Sequence, residues 1–472
     1  MKLKRLLAVI LLTCLAFTFT GCEFIYTVFP DIFGTQVPPE NDTSTGDITS
    51  INVIMINDNH GIFNEKDGGI DKIDAGIDYY ASLGEIVKIA NGDMFQGTYV
   101  SSTLRGLPML DALNAMDFDA FVIGNHEFDW GFDEIKKYKD GDLSNGEADF
   151  PFLGANIYDK STNQMVDWLE PYTIVEVEEF KIGIIGIIGD VETSILSAHV
   201  EDYDFVDARN IVKELAAELR IAKGCDVVIV AVHGDDDELN ATLATYEGES
   251  RIDGIFTGHS HIPTDEEIRR ADGTDICVLQ NGGYGDSFAA LTLKFDENGQ
   301  LKDTDGRLHD TDGFRSNGSL AEVLEKYEEY IAIGDTVLYT SDAEYSKYDV
   351  GIAVTLSMSE KYNADFSIIN TGGVRSSIDA GEVTYADVFQ VLPFENEVYI
   401  VTMSGKDVKT YLSTAKVYYW GLNSIDDNQD YRVAIVDYVY LGYTFEDYRR
   451  DDYIDTNDLI RDVFLEWLKS NA

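Results

Sequence analysis

The sequence predicts an α/β protein of two domains, and three observations carry that prediction. At 472 residues with 44% hydrophobic content, the chain is longer than one domain normally uses and can bury a sizeable core. From Ile51 onward, short β-rich runs alternate with helical-looking segments such as "GIDKIDAGIDYYASLG" and "ARNIVKELAAELRIAKG". Five of the apolar runs end alike, each delivering a His, Asn or Asp just past its last apolar residue.

In chain order, residues 1–21 join the basic "MKLKR" to an apolar run too short to span a bilayer, which predicts a cleaved signal peptide. "FTGC" looks like a bacterial lipobox, which makes Cys22 the lipidated residue and the product extracytoplasmic, anchored to a bacterial membrane by lipid. Residues 22–49, rich in Pro, Thr, Asp and Gly, read as a flexible tether. Residues 50–300 hold the first domain. Around "DTDGRLHDTDGFRSNGS" the chain turns polar, then enters "LAEVLEKYEEYIAIG", so 301–335 is expected to be a linker and connecting helix. Residues 336–472 form a second, smaller α/β domain.

The formal net charge of −51, from 86 acids against 35 bases, is spread along the chain and makes nucleic acid a poor partner for the surface. An anionic substrate needs local positive charge, which a metal centre would supply. Cys225 and Cys277 lie beside predicted strands and read as buried free thiols, not as a disulfide framework.

The five endings hold the chemistry. "INVIMIN" leads to Asp58 and His60, "EIVKIAN" to Asp93, "AFVI" to Asn125 and His126, "CDVVIVAV" to His233, and "RIDGIFT" to His259 and His261. Uninterrupted apolar runs suit strands buried on both faces, and ligands of open α/β sheets collect beyond the carboxyl ends of such strands. An Asp, His and Asn set without Cys suits Zn, Mn, Fe or Co. In Asp58-x-His60 and His259-x-His261, residues two apart at a strand end can face one side. Two four-coordinate metals sharing a bridging carboxylate use seven of these eight groups and leave one for acid catalysis. Any one ending alone reads as a structural turn, yet five of the seven histidines sit in these endings. His199 and His309 fall in ordinary polar contexts and receive no role.

In this order "NDNHG", "NGDMFQGT", "GNHEFDWG", "VAVHG" and "GHSH" resemble the calcineurin-like metallophosphatases, and "GNHEFDWG" with "FPFLGANIYD" is similar to the 5′-nucleotidase branch. The resemblance implies a four-layer α/β/β/α sandwich for the first domain. It implies one metal on Asp58, His60, Asp93 and His261, and a second on Asp93, Asn125, His233 and His259, with Asp93 bridging. His126 is then the leftover group that assists the leaving group, and Asp129 orients it. "NDNHG" has Asn59 where an apolar residue is commoner in the family.

In the second domain "SIINTGGVR" ends a strand in a turn containing Asn370, Gly372 and Gly373, with Arg375 beyond it, and "VLPFEN" carries Phe394. Read alone these are a tight turn, a surface Arg and a core Phe. Residues from about 336 onward resemble the 5′-nucleotidase C-terminal domain, which implies that Arg375 binds the phosphate side and Phe394 stacks on a base, with the turn glycines allowing close approach. Two segments depart from the family. "YDVGIAV" (residues 348–354) lacks the usual Asn residues and a neighbouring Arg, and "YLGYTFEDYRR" replaces the loop that carries the second stacking ring, leaving Tyr443 or Phe445 as its candidates. The expected function is a dinuclear, metal-dependent phosphohydrolase acting on nucleoside 5′-monophosphates. The alternatives are a phosphodiesterase or pyrophosphatase acting on cyclic nucleotides or nucleotide-sugars, and a non-catalytic surface binding protein on the same scaffold.

Overall fold

A computed structural model describes residues 49–63, 69–450 and 452–471. The expected signal peptide, nearly all of the tether and the lipidation candidate Cys22 lie outside the described residues. Among the described residues no helix is long and apolar enough to cross a membrane.

The five apolar runs divide between two six-stranded sheets. The first has the order β15 (Leu301–Asp310), β14 (Ser287–Phe295), β1 (Thr49–Ile56), β2 (Glu85–Asn91), β3 (Ala120–Val122), β4 (Phe152–Leu153). The second has the order β12 (Thr264–Arg269), β13 (Asp275–Gln280), β11 (Gly254–Phe256), β10 (Val227–His233), β8 (Phe180–Ile188), β7 (Tyr172–Val177). A small sheet of β5 (Ile157–Asp159), β6 (Gln164–Met165) and β9 (Tyr203–Phe205) lies beside them. β1 to β4 run parallel, as do β8, β10, β11 and β13, while β7, β12, β14 and β15 run antiparallel to their neighbours.

The runs are continuous because each strand has apolar neighbours on both faces. Ile51, Val53 and Met55 of β1 pack with Val227, Ile229 and Ala231 of β10 between the sheets. Ile54 and Ile56 face outward onto the helices Ile70–Ala81 and Leu107–Ala115, and Val228 and Val230 face the helix Ala208–Glu218. Helix, sheet, sheet and helix stack in the expected four layers. Cys225 and Cys277 are free and buried.

The expectation of a linker from residue 301 is corrected in part. Residues 301–310 are β15, paired with β14 along its whole length. The charges that make this stretch look like a loop belong to an edge strand with one solvated side, and charged edge strands discourage unwanted pairing. The helical stretch that follows is two short helices, Ala321–Lys326 and Glu328–Gly334.

The second domain has its own core beneath a five-stranded sheet ordered β20 (Val417–Gly421), β17 (Phe366–Asn370), β21 (Asp430–Val436), β19 (Glu397–Ser404), β22 (Ile454–Leu459). β16 (Val337–Ser341) and β18 (Gly381–Thr384) form a separate pair. The helix Lys347–Tyr362 starts in a capping box between Ser346 and Asp349, which satisfies donors at its first turn. Tyr99 of the first domain packs edge-on against Tyr385 and Phe389 of the second, and Arg105 pairs with Glu395 at 3.0 Å.

Candidate active site

The carboxyl ends of β1, β2, β3, β10 and β11 meet at one place, and the Asn91 amide donates to the Val232 carbonyl at 3.1 Å to tie the two sheets together there. The strands stop short of most candidate ligands. Apart from His233, the last residue of β10, the polar groups sit in the loops beyond, and Asp58, His60, Asp93, His259 and His261 all have φ between 52° and 78°. Strand alternation therefore does not aim these pairs; left-handed loop backbone does. Strain of this kind persists where surrounding structure enforces it, commonly at functional sites. Backbone N–H groups of Asp58 and His60 donate to the carbonyls of Gly92 and Asp93, locking the first two loops together. Gly92, at φ 79°, is required: an added Cβ would lie 2.3 Å from His233 Nδ1.

The eight side chains from the five endings converge. Asp58, His60 and His261 form one group of donor atoms within 4.8 Å of one another, and Asp93, His233 and His259 form another. Asn125 joins the second, its Oδ1 lying 3.1 Å from His233 Nε2 and 2.8 Å from His259 Nδ1. Asp93 stands between the groups, since with His60 and His126 it forms a third. His60 Nδ1 donates to the Gln96 carbonyl at 3.0 Å and His233 Nδ1 to the Asn91 carbonyl at 2.8 Å, which turns both Nε2 atoms toward the cluster.

The donor set fits divalent cations. Asp58 Oδ1 and Asp93 Oδ2 are buried and accept no hydrogen bond among the described residues, and they face imidazole nitrogens of His261 at 3.1 Å and His233 at 3.3 Å. Burial disfavours charge on His233, but Asp93 outweighs it and pushes the imidazole up to about 10. Burial opposes ionisation of Asp93 too, yet His233 and His126 hold its carboxyl well below the usual range. A proton on His233 thus offsets the Asp93 carboxylate, while burial lowers His60 and His259, and a bound cation would displace that proton.

His126 Nδ1 lies 2.8 Å from Asp129 Oδ2, and its ring faces Phe394 of the second domain at 5.5 Å and 24°. Burial works against its charge, while Asp129 and Asp93 prevail and raise it above the ordinary histidine value. Glu127, which carries no role in the sequence reading, is buried and accepts from the backbone N–H groups of Asp93 (2.9 Å), Gly124 (2.9 Å), Met94 (3.0 Å) and Phe95 (3.4 Å). It therefore splints the Asp93 loop to the Asn125 loop.

A cavity of about 590 Å³ opens over this cluster between the domains. Asn370, Gly372, Arg375 and Phe394 line it; Gly373 does not, and an added Cβ there would meet Asn370 Oδ1 at 2.7 Å. Neither candidate for a second ring reaches the cavity lining. Phe445 is fully buried against Tyr411 and Tyr440, and Tyr443 is solvent-exposed. Tyr438, on the short helix after β21, lines the cavity instead, beside Asp437. Lys347, which directly precedes the 348–354 segment, lines it as well, its ammonium lowered by burial and by Arg375. Tyr284, which stacks on His60 at 5.0 Å, and Gln96 belong to the same wall. No spacing or apolar run marks these positions. His199 also lines the cavity, donating from Nδ1 to the Phe128 carbonyl at 2.9 Å, and His309 is tucked against Tyr80 and Phe288.

Fold and donor set together define a metal-dependent phosphoester hydrolase. Residues 51–263 match the calcineurin-like phosphoesterase family and residues 331–423 the 5′-nucleotidase C-terminal domain, so the chain joins a metallophosphatase domain to a 5′-nucleotidase-type C-terminal domain. It is 28% identical over 447 residues to a 5′-nucleotidase of Vibrio vulnificus, covering 82% of this chain and 79% of the relative. Its fold is similar to the crystal structure of a 5′-nucleotidase precursor from Thermus thermophilus (TM-score 0.77, 22% identity, 90% and 97% of the two chains). It is also similar to the sulfate thiohydrolase SoxB of that genus (TM-score 0.72, 16% identity, 92% and 95%).

Proposed function

We propose that this protein hydrolyses nucleoside 5′-monophosphates to nucleoside and phosphate. The observation that carries the reading is the convergence of an unsatisfied Asp, His and Asn cluster with Arg375 and Phe394 of the second domain on one cavity. In the proposed site Asp58, His60, Asp93 and His261 hold one divalent cation and Asp93, Asn125, His233 and His259 a second. When bound, the cations supply Lewis-acid charge that activates water and neutralises phosphoryl oxygens.

The chain's own residues do the rest. Asp129 holds the Nδ1 proton of His126, so that Nε2 faces the cavity and can give its proton to the departing oxygen. Arg375 grips phosphoryl oxygens, with Lys347 adding charge, and Phe394 offers a face to the base. The proposal takes residues 1–21 as a signal peptide and Cys22 as lipidated, with the activity outside the cytoplasm at a bacterial membrane.

The test is to purify the chain from residue 23, add divalent metals singly and compare AMP, UDP-glucose, 2′,3′-cyclic AMP and an aryl phosphate. Preference for AMP is expected. Preference for the cyclic nucleotide or the nucleotide-sugar replaces the substrate class, and no turnover with full metal content leaves a binding protein.

A further inference from the structure

The wall of the cavity nearest His60 contains a polar group that the proposed chemistry leaves unused. Gln96 is 1% exposed, and neither atom of its side-chain amide has a hydrogen-bond partner among the described residues. Leaving a buried amide unpaired is costly, so a side chain held this way in a cavity lining points to a ligand that supplies the partner. Its surroundings say which kind. A small recess is lined by Gln96, His60, Tyr284 and Arg375, with Gly97, Gln390 and Pro393 behind them. Arg375 is a pure donor and a cation, and the amide Nε2 of Gln96 is a donor. Asn125 Nδ2, in the lining of the adjoining main cavity, is likewise buried without a partner. Beside the unpaired Gln96 oxygen, the Gln96 and Asn125 amide N–H groups and the Arg375 guanidinium are donors that need acceptors, and an anion with several oxygens supplies them.

Tyr284 sets where the cation stands. Its ring stacks on His60 at 5.0 Å and meets His261 edge-on at 5.0 Å, while its hydroxyl accepts from Arg375 Nη2 at 3.1 Å. The same Nη2 lies 3.4 Å from His60 Nε2. The His60 contact is given up whenever that nitrogen takes a metal; the Tyr284 contact is not. A residue of the first domain, braced by two candidate ligand rings, therefore fixes an arginine of the second domain beside the candidate metal cluster.

We propose that Gln96 and Tyr284 complete, with Arg375, a subsite for the phosphoryl group: Gln96 donates directly to a phosphoryl oxygen, and Tyr284 is a positioning residue that acts through Arg375. This deepens the phosphohydrolase reading and rests on it.

The test uses the full metal-loaded chain, with inorganic phosphate titrated by calorimetry and an aryl phosphate as substrate. Gln96→Leu is expected to weaken phosphate binding and raise KM about tenfold, the scale of one hydrogen bond to a charged group. Tyr284→Phe keeps both ring contacts, and is expected to raise both constants about three- to tenfold with kcat within about twofold. In an Arg375→Ala background Tyr284→Phe should add nothing further, whereas Gln96→Leu should keep its cost, because one residue acts through the arginine and the other does not. Wild-type phosphate affinity and KM in both single variants, at unchanged metal content, would overturn the subsite. A full Tyr284→Phe effect without Arg375 would overturn the positioning role. If the loaded wild-type protein hydrolysed no ester, the enzymatic reading would fall, while the phosphate titrations would still decide the subsite.

Discussion

At the scale of single residues, the segment from Gly124 to Asp129 divides its labour. Asn125 faces the metal cluster, His126 the cavity, Glu127 the backbone and Asp129 the imidazole behind. If His126 protonates the leaving group, His126→Asn should cost about 10²–10⁴ in kcat on an alkyl phosphate, and far less on a nitrophenyl phosphate, whose leaving group needs no proton. Equal losses on both substrates would remove that role. Asp129→Asn should follow the same pattern at about 10- to 100-fold, the usual cost of losing an orienting partner. Glu127 predicts a different kind of failure. Burial and the nearby Asp93 push it up to about 7, yet both oxygens accept backbone N–H groups. Gln in its place turns an NH₂ toward two N–H donors. Glu127→Gln should therefore cost about 3 kcal/mol of stability, on the scale of charged hydrogen bonds, and lower metal stoichiometry, read by denaturation and elemental analysis. Full metal content at wild-type stability would show that the splint is dispensable.

At the scale of elements, the strands that carry ligands were legible and the elements that frame them were not. Strands buried on both faces are mostly apolar, so β1, β3, β10 and β11 stand out with their polar endings attached, and β2 does so despite Glu85 and Lys88. Which sheet each belongs to depends on pairing that no local run encodes. β15 was missed because an edge strand has one wet side, and its Asp, Lys and Gly residues look like a loop. Gln96, Tyr284 and Lys347 were missed as site residues because each reaches the cavity singly, through tertiary folding. β15 also carries a half-buried titrating group. His309 is held down to about 4, against an ordinary 6.5, by burial and then by Arg307, and Tyr80 Oη donates to its Nε2. The sign follows: the unfolded chain takes up this proton first as pH falls through 6.5, so the stability from the neutral ring is whole above that pH and is lost toward 4. Allowing for partial exposure, about 1–2 kcal/mol should be gone by about pH 5. Urea midpoints of the wild type and His309→Gln should therefore converge between about pH 7.5 and pH 5. Parallel pH dependence would show that His309 does not titrate differently on folding.

At the scale of the whole molecule, charge has to be reconciled with function. A protein of net charge −51 repels a phosphate dianion, and the cavity itself offers Asp93, Asp129, Glu134, Glu395 and Asp437 against Arg105, Lys347 and Arg375. The chain alone is thus electrostatically set against the substrate proposed for it, and divalent cations must reverse the local sign. Two consequences differ in range. Removing metal should weaken phosphate binding sharply and abolish turnover, because Arg105, Lys347, Arg375 and the His233 proton only partly offset the cavity and cluster carboxylates. With metal saturating, the local attraction acts within a few ångströms and is little screened, whereas the repulsion from the rest of the surface acts over distances that salt controls. Between about 0.01 M and 0.3 M monovalent salt the Debye length falls from about 30 Å to about 6 Å. The ratio kcat/KM for a dianionic aryl phosphate should therefore rise about two- to fivefold over that range, with a smaller rise for a monoanionic diester. A fall with salt, steeper for the dianion, would mean that the metal centre and Arg375 project their field beyond the cavity mouth and govern the encounter despite the acidic surface.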